Sequence, residues 1–140
     1  MKRTRSRAPR RVPRRKWFEV PPVPGHRLMV FVPEGDRTSK REPVDVHDRW
    51  VLRIMRHLGR SFGGATAYGR GVGVWEWRDR LWWDRITVVE SWIPPGCPDI
   101  SRPMNGLCTL LARVCRDLNQ DEVGCMLNGV WIAVEKLERA

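Results

Sequence analysis

The chain has 140 residues, 41% of them hydrophobic, with a formal net charge of +10, which suits one domain with a modest core. The charge is lopsided: residues 1–16, MKRTRSRAPRRVPRRK, hold nine of the 26 Lys and Arg and no acid, so positions 17–140 carry 17 basic against 16 acidic residues. No run approaches the roughly 18 apolar residues of a membrane span, and the basic segment lacks the apolar stretch of a secretory signal, so a cytoplasmic location is expected.

In chain order, residues 1–25 read as an Arg-rich tail followed by the proline-punctuated linker WFEVPPVPG; self-repulsion and the scarcity of apolar side chains predict disorder there. Residues 26–140 read as the folded domain. A short strand is expected at 26–32, ended by Pro33, and a charged loop at 34–44. From Asp45 the apolar residues Trp50, Val51, Ile54, Met55, Leu58 and Phe62 recur at three and four, which predicts a helix with one buried face stopped by Gly63 and Gly64.

The stretch FGGATAYGRGVGVWEW at 62–77 has neither the spacing of a phosphate-binding loop nor the strand-to-helix setting of a dinucleotide turn. Its alternation predicts a strand with Ala65, Ala67, Gly69, Gly71, Gly73, Trp75 and Trp77 on one face and Thr66, Tyr68, Arg70, Val72, Val74 and Glu76 on the other. RDRLWW is expected to turn into the strand DRITVVESWI, whose faces are Ile86, Val88, Glu90 and Trp92 against Arg85, Thr87, Val89, Ser91 and Ile93. If Trp77 pairs with Asp84, then Gly73 faces Val88, Gly71 faces Glu90 and Gly69 faces Trp92, so large side chains lie over glycines; a bulge would undo that match.

A second helix follows, with Ser101 as N-cap and Met104, Leu107, Cys108, Leu111, Val114, Cys115 and Leu118 inward. Asn128-Gly129 fits a type I′ turn, and pairing outward from it sets Leu127 against Val130, Cys125 against Ile132, and Val123 against Val134. The order strand, helix, strand, strand, helix, strand, strand predicts an α+β, ferredoxin-like two-layer sandwich: an antiparallel sheet with two helices on one face and a C-terminal β-hairpin.

The run FGGATAYGRGVGVW, the acid-bearing strand ITVVES and LNQDEVGCMLNGVW together resemble a loose group of small, mostly uncharacterised bacterial proteins with a ferredoxin-like α+β fold, in which a Phe-Gly-Gly helix end precedes an aromatic-ended strand and a Gln-Glu-like pair opens the final hairpin. The resemblance covers roughly residues 26–135 and implies a fold rather than an activity. Here Asp121 separates Gln120 from Glu122, a departure from that pair.

The chemistry on offer is sparse. Cys97, Cys108, Cys115 and Cys125 form no C-x-x-C pair and His26, His47 and His57 are scattered, so neither a metal nor another cofactor is expected. No serine sits in a nucleophile elbow, and no catalytic residue is assigned. Glu90, among Ile86, Val88 and Trp92, is either a general acid or base, or a polar anchor, in a pocket formed with Tyr68, Gly69, Arg70, Gly71 and Trp92, or else a carboxylate on the sheet face away from the helices or one held by a nearby arginine such as Arg70 or Arg60. WEWRDRLWW gathers four of the eight tryptophans beside Arg78 and Arg80, which suits base stacking, a protein contact or simple sheet cover.

The favoured expectation is a small non-enzymatic binding protein whose Lys2, Arg3, Arg5, Arg7, Arg10, Arg11, Arg14, Arg15 and Lys16 contact nucleic acid or another polyanion. A small-molecule-binding or enzymatic domain using a cleft at Glu90, and an adaptor for an acidic protein, are the alternatives. A homodimer through the sheet face is a further expectation.

Overall fold

The computed structural model describes residues 25–34, 44–97 and 99–136. Of the expected 34–44 loop, residues 35–43 lie outside them, as does the 1–24 segment, and Val44 already belongs to the first helix. β1 (His26–Pro33) alternates, with Leu28, Val30 and Val32 fully buried and Met29 and Phe31 on the opposite side. α1 (Val44–Phe62) buries Trp50, Val51, Ile54, Leu58 and Phe62 against the same face. It ends where Gly63 takes φ of 95° and donates its N–H to the Gly59 carbonyl at 2.9 Å, a left-handed cap that glycine adopts without a Cβ clash.

β2 (Thr66–Trp77) and β3 (Arg80–Ile93) form a long antiparallel ladder whose register differs from the sequence expectation. The turn is only Arg78-Asp79, so Trp77 pairs with Arg80 rather than Asp84, and β3 starts four residues earlier than expected. Both turn residues have positive φ, 51° and 59°, the type I′ signature. Asp79 suits positive φ but Arg78 does not, so the sequence marks a turn within RDRLWW without fixing its two residues; the paired strands hold Arg78 in a conformation costing about 1–2 kcal/mol for an L residue.

A second difference lies further along. Tyr68 faces Val88 while Gly71 faces Ile86, so β2 advances three positions as β3 advances two. That extra residue is a bulge at Gly69 and Arg70, and it switches the alternation. Ala67 packs inward, but Tyr68, Gly71, Gly73, Trp75 and Trp77 all share the other face. Gly73 faces Asp84 rather than Val88, Gly71 faces Ile86 rather than Glu90, and Gly69 sits in the bulge rather than opposite Trp92.

α2 (Ser101–Asp117) buries Leu107, Leu111, Ala112, Val114 and Cys115. Its N-cap is Ile100, not Ser101; the Ser101 N–H instead donates to Asp99 Oδ1 at 2.8 Å, so the carboxylate three residues before Arg102 supplies the acceptor that a serine cap would have given. β4 (Glu122–Leu127) pairs antiparallel with β5 (Val130–Glu135), with Leu127 opposite Val130 and Cys125 opposite Ile132, and Asn128 and Gly129 between them at φ of 51° and 80°. The Asn128 side chain also accepts from the Arg27 N–H at 2.9 Å, tying this turn to the start of β1.

The five strands form one antiparallel sheet in the order β2-β3-β1-β4-β5. Both helices contribute to the core against Val30, Val89, Ile93, Val123 and Cys125. Trp50 donates its indole N–H to Asp117 at 3.0 Å, and His57 donates Nε2–H to the Pro103 carbonyl at 2.8 Å, so α1 and α2 run antiparallel and are pinned at both ends. All four cysteines are free thiols. Cys115 and Cys125 are buried; burial holds both as neutral thiols, with Cys125 pushed up to about 11.

Candidate functional site

The helices cover one face of the sheet and leave the other open. On the open side stand Met29 and Phe31 from β1, Ile86, Val88, Glu90 and Trp92 from β3, and Tyr68, Trp75 and Trp77 from β2. The rings are well exposed, with Tyr68 at 48%, Trp75 at 45%, Trp92 at 54% and Trp131 at 43%. On an ordinary solvent-facing sheet surface such side chains would be polar, and a contiguous exposed aromatic area is commonly an interaction surface.

Trp131 organises one half of this face. Gly124 lies directly beneath its ring, because a Cβ at Gly124 would overlap the indole. From that seat the ring meets Phe31 at a centroid distance of 5.5 Å and Trp75 at 6.1 Å. Trp75 and Trp131 belong to opposite edge strands, about 19 Å apart in a flat five-stranded sheet. Their contact therefore requires the sheet to curl, which the bulge and the long twisted β2–β3 ladder permit. At the tip, Trp77 and Trp82 meet edge-on at 6.4 Å and the Arg78 guanidinium lies 4.2 Å over Trp77.

Glu90 marks the other half. It points to the open face, where Oε2 accepts from Arg27 Nη2 at 2.6 Å and Nε at 3.0 Å. The carboxylate is held by Arg27, not by the Arg70 or Arg60 that the sequence suggested. The paired carboxylate raises the Arg27 pKa through its hydrogen bond first and its charge second. Arg27 is solvent-exposed, so the pair adds little stability. Its consequence is local: a fixed acceptor and donor stand between Tyr68 and Trp92.

The six residues grouped by sequence do not converge on one point. Tyr68, Glu90 and Trp92 share the open face, Gly69 sits in the bulge with nothing near its Cβ position, Gly71 abuts Ile86, and Arg70 pairs with Glu34 at 3.0 Å. The nine basic residues Lys2 to Lys16 lie outside the described residues. Arg27 was missed because it faces Trp92 across the ladder and meets Glu90 only diagonally. Trp131 was missed as part of the site because its role depends on Gly124 two positions off its paired residue. A strand glycine near a tryptophan was the signal that could have found it. Among the described residues, no three His, Cys, Asp or Glu side chains are grouped to hold a metal ion, and no helix is long and apolar enough to cross a membrane.

Known proteins place the fold, not the role. No family model matches the chain. Its architecture is similar to that of a phage SAM lyase solved in complex with S-methyl-5′-thioadenosine, with a TM-score of 0.54 and 14% identity over 79% of this chain and 89% of the other. The likeness to a phage SAM lyase in its apo state has a TM-score of 0.53, again at 14% identity, over 83% and 93% of the two chains. At that identity the likeness shows a shared small α+β fold. A homoserine O-succinyltransferase of Vibrio atlanticus (strain LGP32) is 28% identical over 57 residues, which is 41% of this chain and 18% of that protein. The chain thus spans less than a fifth of that enzyme's length.

Proposed function

We propose that this protein is a non-enzymatic nucleic-acid-binding protein: the Arg-rich segment 1–16 engages phosphates, and the open sheet face stacks unpaired bases. The observation that carries this reading is the uncovered aromatic face, on which Tyr68 and Trp92 flank an ion pair and Trp75, Trp131 and Phe31 form a second platform. Stacking on such rings is tolerant of base identity, and the basic segment supplies attraction without sequence preference. The strand order, with helices on one side, supports a ferredoxin-like sandwich whose edge is extended by a C-terminal hairpin. A cytoplasmic setting, and a homodimer through part of the same face, belong to the same proposal.

Tyr68→Ala and Trp92→Ala, each in the full chain, test the platform by fluorescence anisotropy with a labelled single-stranded 20-mer. Each is expected to weaken binding roughly 5- to 150-fold while leaving the salt dependence unchanged, because rings and not charges are removed. Unchanged affinity in both variants would take the sheet out of the site.

A second reading is favoured by the likeness to a SAM lyase bound to a nucleoside thioether. In it, Glu90 and Arg27 address polar groups of a small nucleoside while Tyr68 or Trp92 stacks on its base. Titration with S-methyl-5′-thioadenosine decides it: saturable binding that disappears in Glu90→Gln supports a small-molecule site, and absence of binding removes it.

A further inference from the structure

On the opposite side of the molecule, α1 and α2 enclose a groove of about 380 Å³. Its rim carries Arg53, Arg56 and Arg60 from α1 and Arg113 from α2, and its floor includes His57 and Leu110; among the described residues no carboxylate lines it. The three α1 arginines are spaced at three and four, so they stand on one face of the helix, about 5–6 Å from each to the next. Arg113 faces them from the antiparallel helix.

Such a cluster opposes the helix. Like charges three or four apart repel one another, and a fourth across the groove adds to the repulsion. Arg60 has a local reason to be where it is, since a cation in the last turn complements the helix dipole. Arg53 has a partial one, lying 4.9 Å over the Trp50 ring. Arg56 and Arg113 have neither, and among the described residues no carboxylate pairs with Arg56, Arg60 or Arg113. His57 is fixed by its bond to the Pro103 carbonyl and packs over Gly106, where a Cβ would approach its ring to 2.8 Å. A groove lined by four guanidinium groups and, among the described residues, no acid is complementary to an extended chain of anions, because each guanidinium can fork onto phosphate oxygens.

We infer that the α1–α2 groove is a seat for the phosphate backbone of a nucleic acid, making successive contacts to Arg56, Arg60 and Arg113. It rests on the nucleic-acid reading above and gives the folded domain its own phosphate contact, separate from the Arg-rich segment. The chain direction fits. α1 ends beside Ser91, whose hydroxyl donates to the Gly64 carbonyl at 2.7 Å, and Gly25 abuts Trp92. Gly25, the first described residue of this part of the chain, thus lies at the sheet end that also carries the Arg60 end of the groove.

The test compares the full chain with Arg56→Gln/Arg60→Gln/Arg113→Gln, which leaves Arg53 on Trp50, and with the matching triple lysine variant, by anisotropy on a single-stranded 20-mer between 50 and 200 mM salt. The expected result is a slope of log affinity against log salt that falls by about 2 in the glutamine variant and is retained with lysine. An unchanged slope in a folded glutamine variant, with the parent binding normally, overturns the groove and leaves the nucleic-acid reading standing. Loss of slope in both triple variants would mark a structural role for the arginines and overturn it as well. If the parent fails to bind at low salt, the nucleic-acid reading itself fails and the groove goes with it.

Discussion

Replacing Gly124 by alanine is expected to destabilise the fold by about 2–3 kcal/mol, although alanine is ordinarily the better strand residue by about 0.5–1 kcal/mol. The reason is the indole that lies on this glycine. Trp131 uses the missing Cβ as its seat, and a methyl there overlaps the ring. The backbone of β4 is fixed between β1 and β5, so the ring must move. Once displaced it loses Phe31 and Trp75, two aromatic contacts each worth about 0.5–1.5 kcal/mol. Chemical denaturation of a double-mutant cycle isolates the effect. In the Trp131→Ala background the same Gly124→Ala change should reverse sign and stabilise slightly. Equal destabilisation in both backgrounds would mean that Gly124 serves the backbone and not the ring, and that the aromatic platform has no built seat.

That glycine also illustrates what was legible in the sequence. Periodicity located α1 and α2 because their burial is one-sided, and Asn128-Gly129 carries its turn in its own residues; counting outward pairs Cys125 with Ile132, as the structure does. The β2–β3 ladder was not legible to the same degree. Its turn is made by Arg78 and Asp79, of which only Asp79 suits positive φ, and its bulge leaves no mark on an alternating string of glycines. A one-residue shift exchanges the faces of a strand, so Tyr68 and Trp75, set on opposite sides by simple alternation, in fact share one. The candidate site suffered from the same cause. Glu90 was recognisable as a carboxylate among apolar neighbours, but its partner Arg27 and the ring stack around Trp131 depend on contacts between strands distant in sequence.

The division of charge gives the largest expected effect on function. With nine cations in residues 1–16 and a near-balance of charge in the rest, most of the long-range attraction for a polyanion resides in a short segment. Each cation placed on a phosphate of a single strand releases about 0.7 of a counterion, so nine contribute up to about 6 to the salt slope. Over a fourfold rise in salt that amounts to a loss of affinity of roughly 10³–10⁴-fold. On the proposed reading, stacking on the sheet rings adds affinity that salt does not remove.

The decisive measurement is the affinity of the full chain for a single-stranded 20-mer from 50 to 200 mM salt, beside a full-length variant in which all nine Lys and Arg of residues 1–16 are glutamine. The expected result is steeply salt-dependent binding by the parent, and in the variant a much shallower slope with a weak residual affinity held by the folded domain. Binding of equal strength and equal salt dependence in both proteins, or none in either, would contradict the assignment of the Arg-rich segment as the anchor for nucleic acid.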